Sequence, residues 1–150
     1  HFDVCIYASS RKPIVHRNGI HVWIKPTDDE NANLMIILSF IILGHPDWAN
    51  GNISIFAICR EEEKDSIRQQ METLMETGRL PVTTQNIQII VQDEDRSYKD
   101  IMLERSAQAG LTVVGFREEN LKHRDDELFE GFEGMGHMVF VHSFERKLLD

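Results

Sequence analysis

At 150 residues the chain is long enough for one domain with its own core, a size that buries ~70% of the unfolded surface. Its 41% apolar and 27% charged content belong to a globular protein rather than a disordered tail. The net charge of −9 argues against nucleic acid or an anionic membrane surface as a partner, since both attract clustered cations.

Residues 1–18 read as an N-terminal edge strand or a linker, and 19–150 as an α/β domain. Phe2–Ala8 is either an extra edge strand or the tail of a preceding domain. The segment from Ser9 to Asn18, with Arg11, Lys12, Pro13, His16 and Arg17, reads as a solvated loop. Ile20–Ile24 is the first strand of the domain. The segment Ala32–Leu43 is a very apolar helix: between Leu34 and Leu43 only Ser39 is polar. This run is far short of the ~20 residues of a membrane span. Because it is apolar on every side, one face should lie on the domain's own sheet and the other against a partner. On a helical wheel Leu34, Leu38 and Ile41 share one face, and Ile36, Phe40 and Leu43 the opposite one. The second face, with nearby Trp48, is expected to be an exposed interface patch, unless Phe2–Val15 or Phe144–Leu149 covers it.

Asn52–Ile58 is the next strand. Arg60–Thr77 is an amphipathic helix, with Ile67, Met71, Leu74 and Met75 on one face, three glutamates at its start and Gly78 placed to end it. A strand follows at Asn86–Val91. Ser97-Tyr98-Lys99-Asp100 has capping-box spacing and opens a helix that should stop by Gly110. Leu111–Gly115 and Met138–His142 are the last strands, with a helical pattern around Asp125–Glu133 between them. Apolar, β-branched strands alternating with helices predict a doubly wound α/β fold. It should have a mostly parallel sheet of about five strands, with helices on both faces and Ile20–Ile24 near the centre.

No motif asks for catalysis. The loops after the first three strands are Lys25-Pro26-Thr27-Asp28-Asp29-Glu30, Cys59-Arg60-Glu61-Glu62-Glu63 and Gln92-Asp93-Glu94-Asp95. They are acidic and glycine-free, the opposite of a phosphate cradle. Asp28, Asp29 and Asp93 or Asp95 resemble the acidic pocket of a phospho-accepting receiver domain. Phe116-Arg117 and Ser143-Phe144, however, stand where that family needs a hydroxyl residue and a lysine. None of the seven histidines forms a pair at helical spacing, so no metal site is expected. Cys5 and Cys59 read as buried thiols of a reducing compartment. His1 in place of an initiator methionine suggests an excised fragment.

The chain resembles the C-terminal cytosolic domain of the cation-chloride cotransporters of Na-K-Cl and K-Cl type, most closely a prokaryotic member. The resemblance rests on Ile20-His21-Val22-Trp23 and on Asn33-Leu34-Met35-Ile36-Ile37-Leu38. It continues with Trp48 before Ile53-Ser54-Ile55-Phe56, the helix from Tyr98 to Arg105, and Leu111-Thr112-Val113-Val114. It implies a non-enzymatic regulatory and dimerising module on the cytoplasmic side of the cell membrane. The module would be one universal-stress-protein-like half of the cytosolic region. Its implied partners are the transmembrane domain, the other cytosolic half and a second copy of the chain. Sodium, potassium and chloride would be handled by the membrane part, and no cofactor is implied. The universal-stress nucleotide motif begins with two glycines spaced G-x-x-G, but the segment here is Gly115-Phe116-Arg117-Glu118. A free-standing nucleotide-binding protein of that type is the alternative, and a receiver domain a weaker one.

Overall fold

The computed structural model describes residues 3–77, 81–116, 132 and 134–142, with the backbone alone at 29 and 30. Six strands form one sheet: β1 (Val4–Ala8), β2 (Ile20–Ile24), β3 (Ile53–Cys59), β4 (Ile87–Val91), β5 (Leu111–Gly115) and β6 (Met138–His142). Their order is β1-β6-β5-β2-β3-β4, and every pairing is parallel except that of β1 with β6. The fold is therefore the doubly wound α/β class read from the sequence, with β2 inside the sheet. The expected strand count was one short. β1 is the additional strand, and its antiparallel register (Val4 opposite His142, Ala8 opposite Met138) closes the edge beyond β6.

Among the described residues three helices connect parallel strands: α1 (Asp29–Leu43), α2 (Lys64–Glu76) and α3 (Tyr98–Ser106). The side-chain parity of the strands divides the interior into two cores. Ile20, Val22 and Ile24 of β2 point to one face, where Met35 and Ile36 of α1 and Ile67 and Met71 of α2 pack. Trp23 points to the other, with Phe56, Phe140 and Ile101 and Met102 of α3. Both faces of the central strands are thus dry, which is why those strands read as unbroken apolar runs.

The local sequence explains the elements. The Ser97 hydroxyl accepts from the Asp100 N–H at 3.1 Å, and the Asp100 carboxylate accepts from the Ser97 N–H, so α3 begins with a capping box. In α2 the face predicted from the periodicity is the face that packs: Ile67 and Met71 are buried, Leu74 and Met75 half-buried. Gly19 has φ +80°, and its backbone lies against the Asn52 carbonyl, where any side chain would collide. The helical pattern expected at 125–133 and the tail at 144–149 lie, apart from Phe132, outside the described residues.

The face assignment of α1 requires correction. Ile36 is fully buried and packs on the sheet with Ala32 and Met35. Trp48 is 7% exposed and sits at the amino ends of the strands, edge-on to the His16 ring at 4.6 Å. Phe40 and Leu43 are half-buried against the same core. The outward stripe of α1 is instead Ile37, 41% exposed, and Ile41, 68% exposed. The four residues Ile36, Phe40, Leu43 and Trp48 do not form one exposed patch. Cys5 is a second correction: it is an exposed thiol on β1, whereas Cys59 is buried as expected.

On the α3 face, the wholly buried Ser106 hydroxyl accepts from Trp23 Nε1–H at 2.8 Å and meets His21 Nδ1 at 2.7 Å. The Ser106 proton is free to point at Nδ1, which leaves His21 as the neutral Nε2–H tautomer. Burial lowers the His21 pKa. A histidine held neutral when folded binds its proton more readily when unfolded. Its contribution is therefore complete above about pH 6.5 and is lost as pH falls below that value. Urea midpoints between about pH 8 and pH 5 should fall on the acid side, and the His21→Gln variant should show a shallower fall.

Candidate functional site

In an open α/β sheet, ligands bind outside the carboxyl ends of the strands where the winding reverses. Here that point lies between β2 and β5: from β2 the chain winds through β3 to β4, then returns to β5 on the other side of β2. The residues that meet there come from the loop after β2, the first turn of α1, the start of α3 and the ends of β5 and β6.

Asp28 is the centre of the arrangement. It ends a short 3-10 turn (Pro26–Asp28) and is 2% exposed. Its Oδ2 accepts from the Lys25 N–H at 2.9 Å, and its own N–H donates to the Lys25 carbonyl at 2.9 Å, so the loop folds back on itself. Its Oδ1 lies against the Cα of Gly115 at the end of β5, in the space a side chain there would take. Asn31 completes the contact, its Nδ2–H donating to the Phe116 carbonyl at 3.3 Å. The same carbonyl receives His142 Nδ1–H at 2.9 Å from the end of β6.

Tyr98 covers the carboxylate from α3. Its hydroxyl is buried, with no hydrogen-bond partner among the described residues. Burial, and then the charge of Asp28, push its pKa well above that of an ordinary tyrosine. It stays protonated at any physiological pH and is not a base. The Lys25 ammonium lies 5.0 Å from the centre of the Tyr98 ring, a cation–π contact on the side away from the core.

The crevice is thus filled by the chain's own polar side chains. A phosphate entering at Gly115 would meet the Asp28 carboxylate, not the main-chain N–H groups that bind anions in this fold class. Replacing Gly115 by Ala should cost about 1–3 kcal/mol, because the added methyl group displaces Asp28 and crowds Asn31 Nδ2 at 3.1 Å. Thermal or urea unfolding of that variant is the check.

The other acidic loops stay apart from Asp28. β3 stands between β2 and β4, so Asp93, which follows β4, is a full strand removed. Asp93 is exposed and pairs with Arg96 at 3.7 Å, and Arg96 also contacts Glu104. No group of three His, Cys, Asp or Glu side chains among the described residues is placed to hold a metal ion. The parallel strands run in the order 3-2-1-4-5, not the 2-1-3-4-5 of flavodoxin-like domains, the class that includes receiver domains. The glycine after β5 expected to open a nucleotide motif is Gly115, the residue packed on Asp28; positions 117 and 118 lie outside the described residues.

From the sequence the loop after β2 was legible only as acidic and glycine-free, and Asn31, Tyr98 and His142 gave no sign of joining it. The available signal was a glycine ending an otherwise β-branched strand, Leu111-Thr112-Val113-Val114-Gly115. Such a glycine marks a close approach by another group.

No helix among the described residues is long and apolar enough to cross a membrane. No protein-family model matches the chain, and no curated protein matches it.

Proposed function

We propose that the chain is a cytosolic regulatory and dimerisation domain of a membrane cation-chloride cotransporter, with no catalytic activity of its own. Its partners in this reading are the transmembrane domain, the other cytosolic half of the transporter and a second copy of the chain. The ions are carried by the membrane part.

One observation carries the reading. α1 covers the centre of the sheet through Met35 and Ile36, yet it still presents Ile37 and Ile41 outward, with half-buried Leu34 and Leu38 beside them. A helix with apolar residues on both sides suits a module that is packed into a larger assembly. The self-filled crevice at Gly115 supports the same reading, since an assembly domain of this fold has no need of a nucleotide site.

The test is to read the coding sequence upstream of His1. This reading expects a long region with many hydrophobic spans, each about 20 residues, in the same open reading frame. A gene that encodes little beyond this domain would overturn it in favour of a free-standing protein.

A further inference from the structure

A cavity of about 530 Å³ lies at the β1–β6 edge of the sheet, and it is within the size range of small-molecule sites. Its floor is apolar: Met135, Met138 and Phe140 of the core on the α3 face, with half-buried Phe132 packed against them. Its rim is the segment after β1, where Ser9, Arg11 and Lys12 line the opening. We propose that this cavity binds a free, apolar-tailed monocarboxylate, the tail on the methionine and phenylalanine floor and the carboxylate on the Arg11 and Lys12 rim.

The rim is unusual for this chain. The net charge is −9, yet the segment from Ser9 to Asn18 carries Arg11, Lys12 and Arg17 and no carboxylate. Among the described residues neither Arg11 nor Lys12 has an acidic partner. Lys12 donates from Nζ to the Gly134 carbonyl at 2.9 Å, which ties the rim to the opposite wall without neutralising its charge.

The rim is also held in place. His137 Nδ1 accepts from the Ser10 N–H at 3.2 Å and from the Tyr7 hydroxyl at 2.6 Å, and Nε2–H donates to the Lys12 carbonyl at 2.7 Å. One ring thus fixes two points of the loop, and Tyr7 of β1, against the start of β6. A cationic rim fixed before binding loses little entropy when a ligand arrives. Methionines on the floor adapt to tails of different shape. The strongly acidic character of the rest of the chain favours a single negative charge over a phosphate dianion.

The experiment uses the chain labelled with carbon-13 at its six methionine methyl groups. Decanoate should shift the Met135 and Met138 signals in a saturable way at or below ~1 mM, while Met35 and Met71, in the other core, stay unchanged. Arg11→Gln should weaken binding roughly two- to fivefold, since one charge contact at an exposed rim is lost. Decanol, with the same tail and no charge, should bind more weakly than decanoate. Absence of selective shifts at Met135 and Met138 would overturn the proposal. Equal binding of decanol, or unchanged affinity in Arg11→Gln, would also overturn it, because the rim would then have no part in recognition.

Discussion

Replacing Ile36 by Asp is expected to unfold the chain, whereas the same change at Ile41, five residues on, leaves it folded. Ile36 is fully buried between α1 and the sheet, in the core built from Val22, Ile55 and Val113. A carboxylate there has no partner and no water, and an unpaired buried charge is among the few single changes that exceed ~4–5 kcal/mol. That is close to the whole stability of an ordinary domain, about 5–15 kcal/mol. Ile41 is 68% exposed, so its replacement removes no core contact; the cost is the helix propensity and the unfavourable charge near a helix end, under about 1 kcal/mol together. The Ile41→Asp variant should also self-associate less than the parent chain, since it divides the apolar stripe on α1. Circular dichroism reads the first difference and sedimentation the second. A folded Ile36→Asp variant would show that α1 meets the sheet by another face.

Trp23→Ala should cost about 3–5 kcal/mol, the range for deleting a large buried aromatic side chain. Trp23 is fully buried, stacked on Phe56 with ring centroids 4.7 Å apart and edge-on to Tyr98 at 6.3 Å. Truncation opens a cavity at the meeting of β2, β3 and α3. It also removes one of the two groups that hold the Ser106 hydroxyl, leaving His21 alone with it. Trp23→Phe keeps one aromatic ring and loses the N–H donor with the rest of the indole, so it should cost about 1–2 kcal/mol. Urea midpoints of the two variants separate packing from hydrogen bonding. Equal losses would mean that the hydrogen bond, not the ring, is the larger contribution.

The strand and helix pattern was legible because β2 to β5 alternate with helices and carry β-branched runs, and α2 carries its own phase in Ile67, Met71, Leu74 and Met75. α1 gave no phase, because a helix apolar on every side has no direction written in it. The one polar residue between Leu34 and Leu43 misleads: Ser39 looks like an outward position, yet it is fully buried, its hydroxyl donating to the Met35 carbonyl at 2.7 Å. β1 was ambiguous because an edge strand buries only alternate residues; Val4, Ile6 and Ala8 turn to the core, while Cys5 and Tyr7 do not. The crevice was illegible for another reason. Asp28 and Gly115 are far apart in sequence, and only the return of the chain from β4 to β5 brings them together.

Asp28, Asn31 and Tyr98 fill the winding-reversal crevice, so no phosphate cradle is left at Gly115. Titration calorimetry of the intact chain with magnesium and ATP tests it most directly. With the crevice filled, no saturable heat is expected at ~1 mM nucleotide; a dissociation constant in the low micromolar range, about −7 to −8 kcal/mol of binding free energy, would show that the crevice opens to nucleotide.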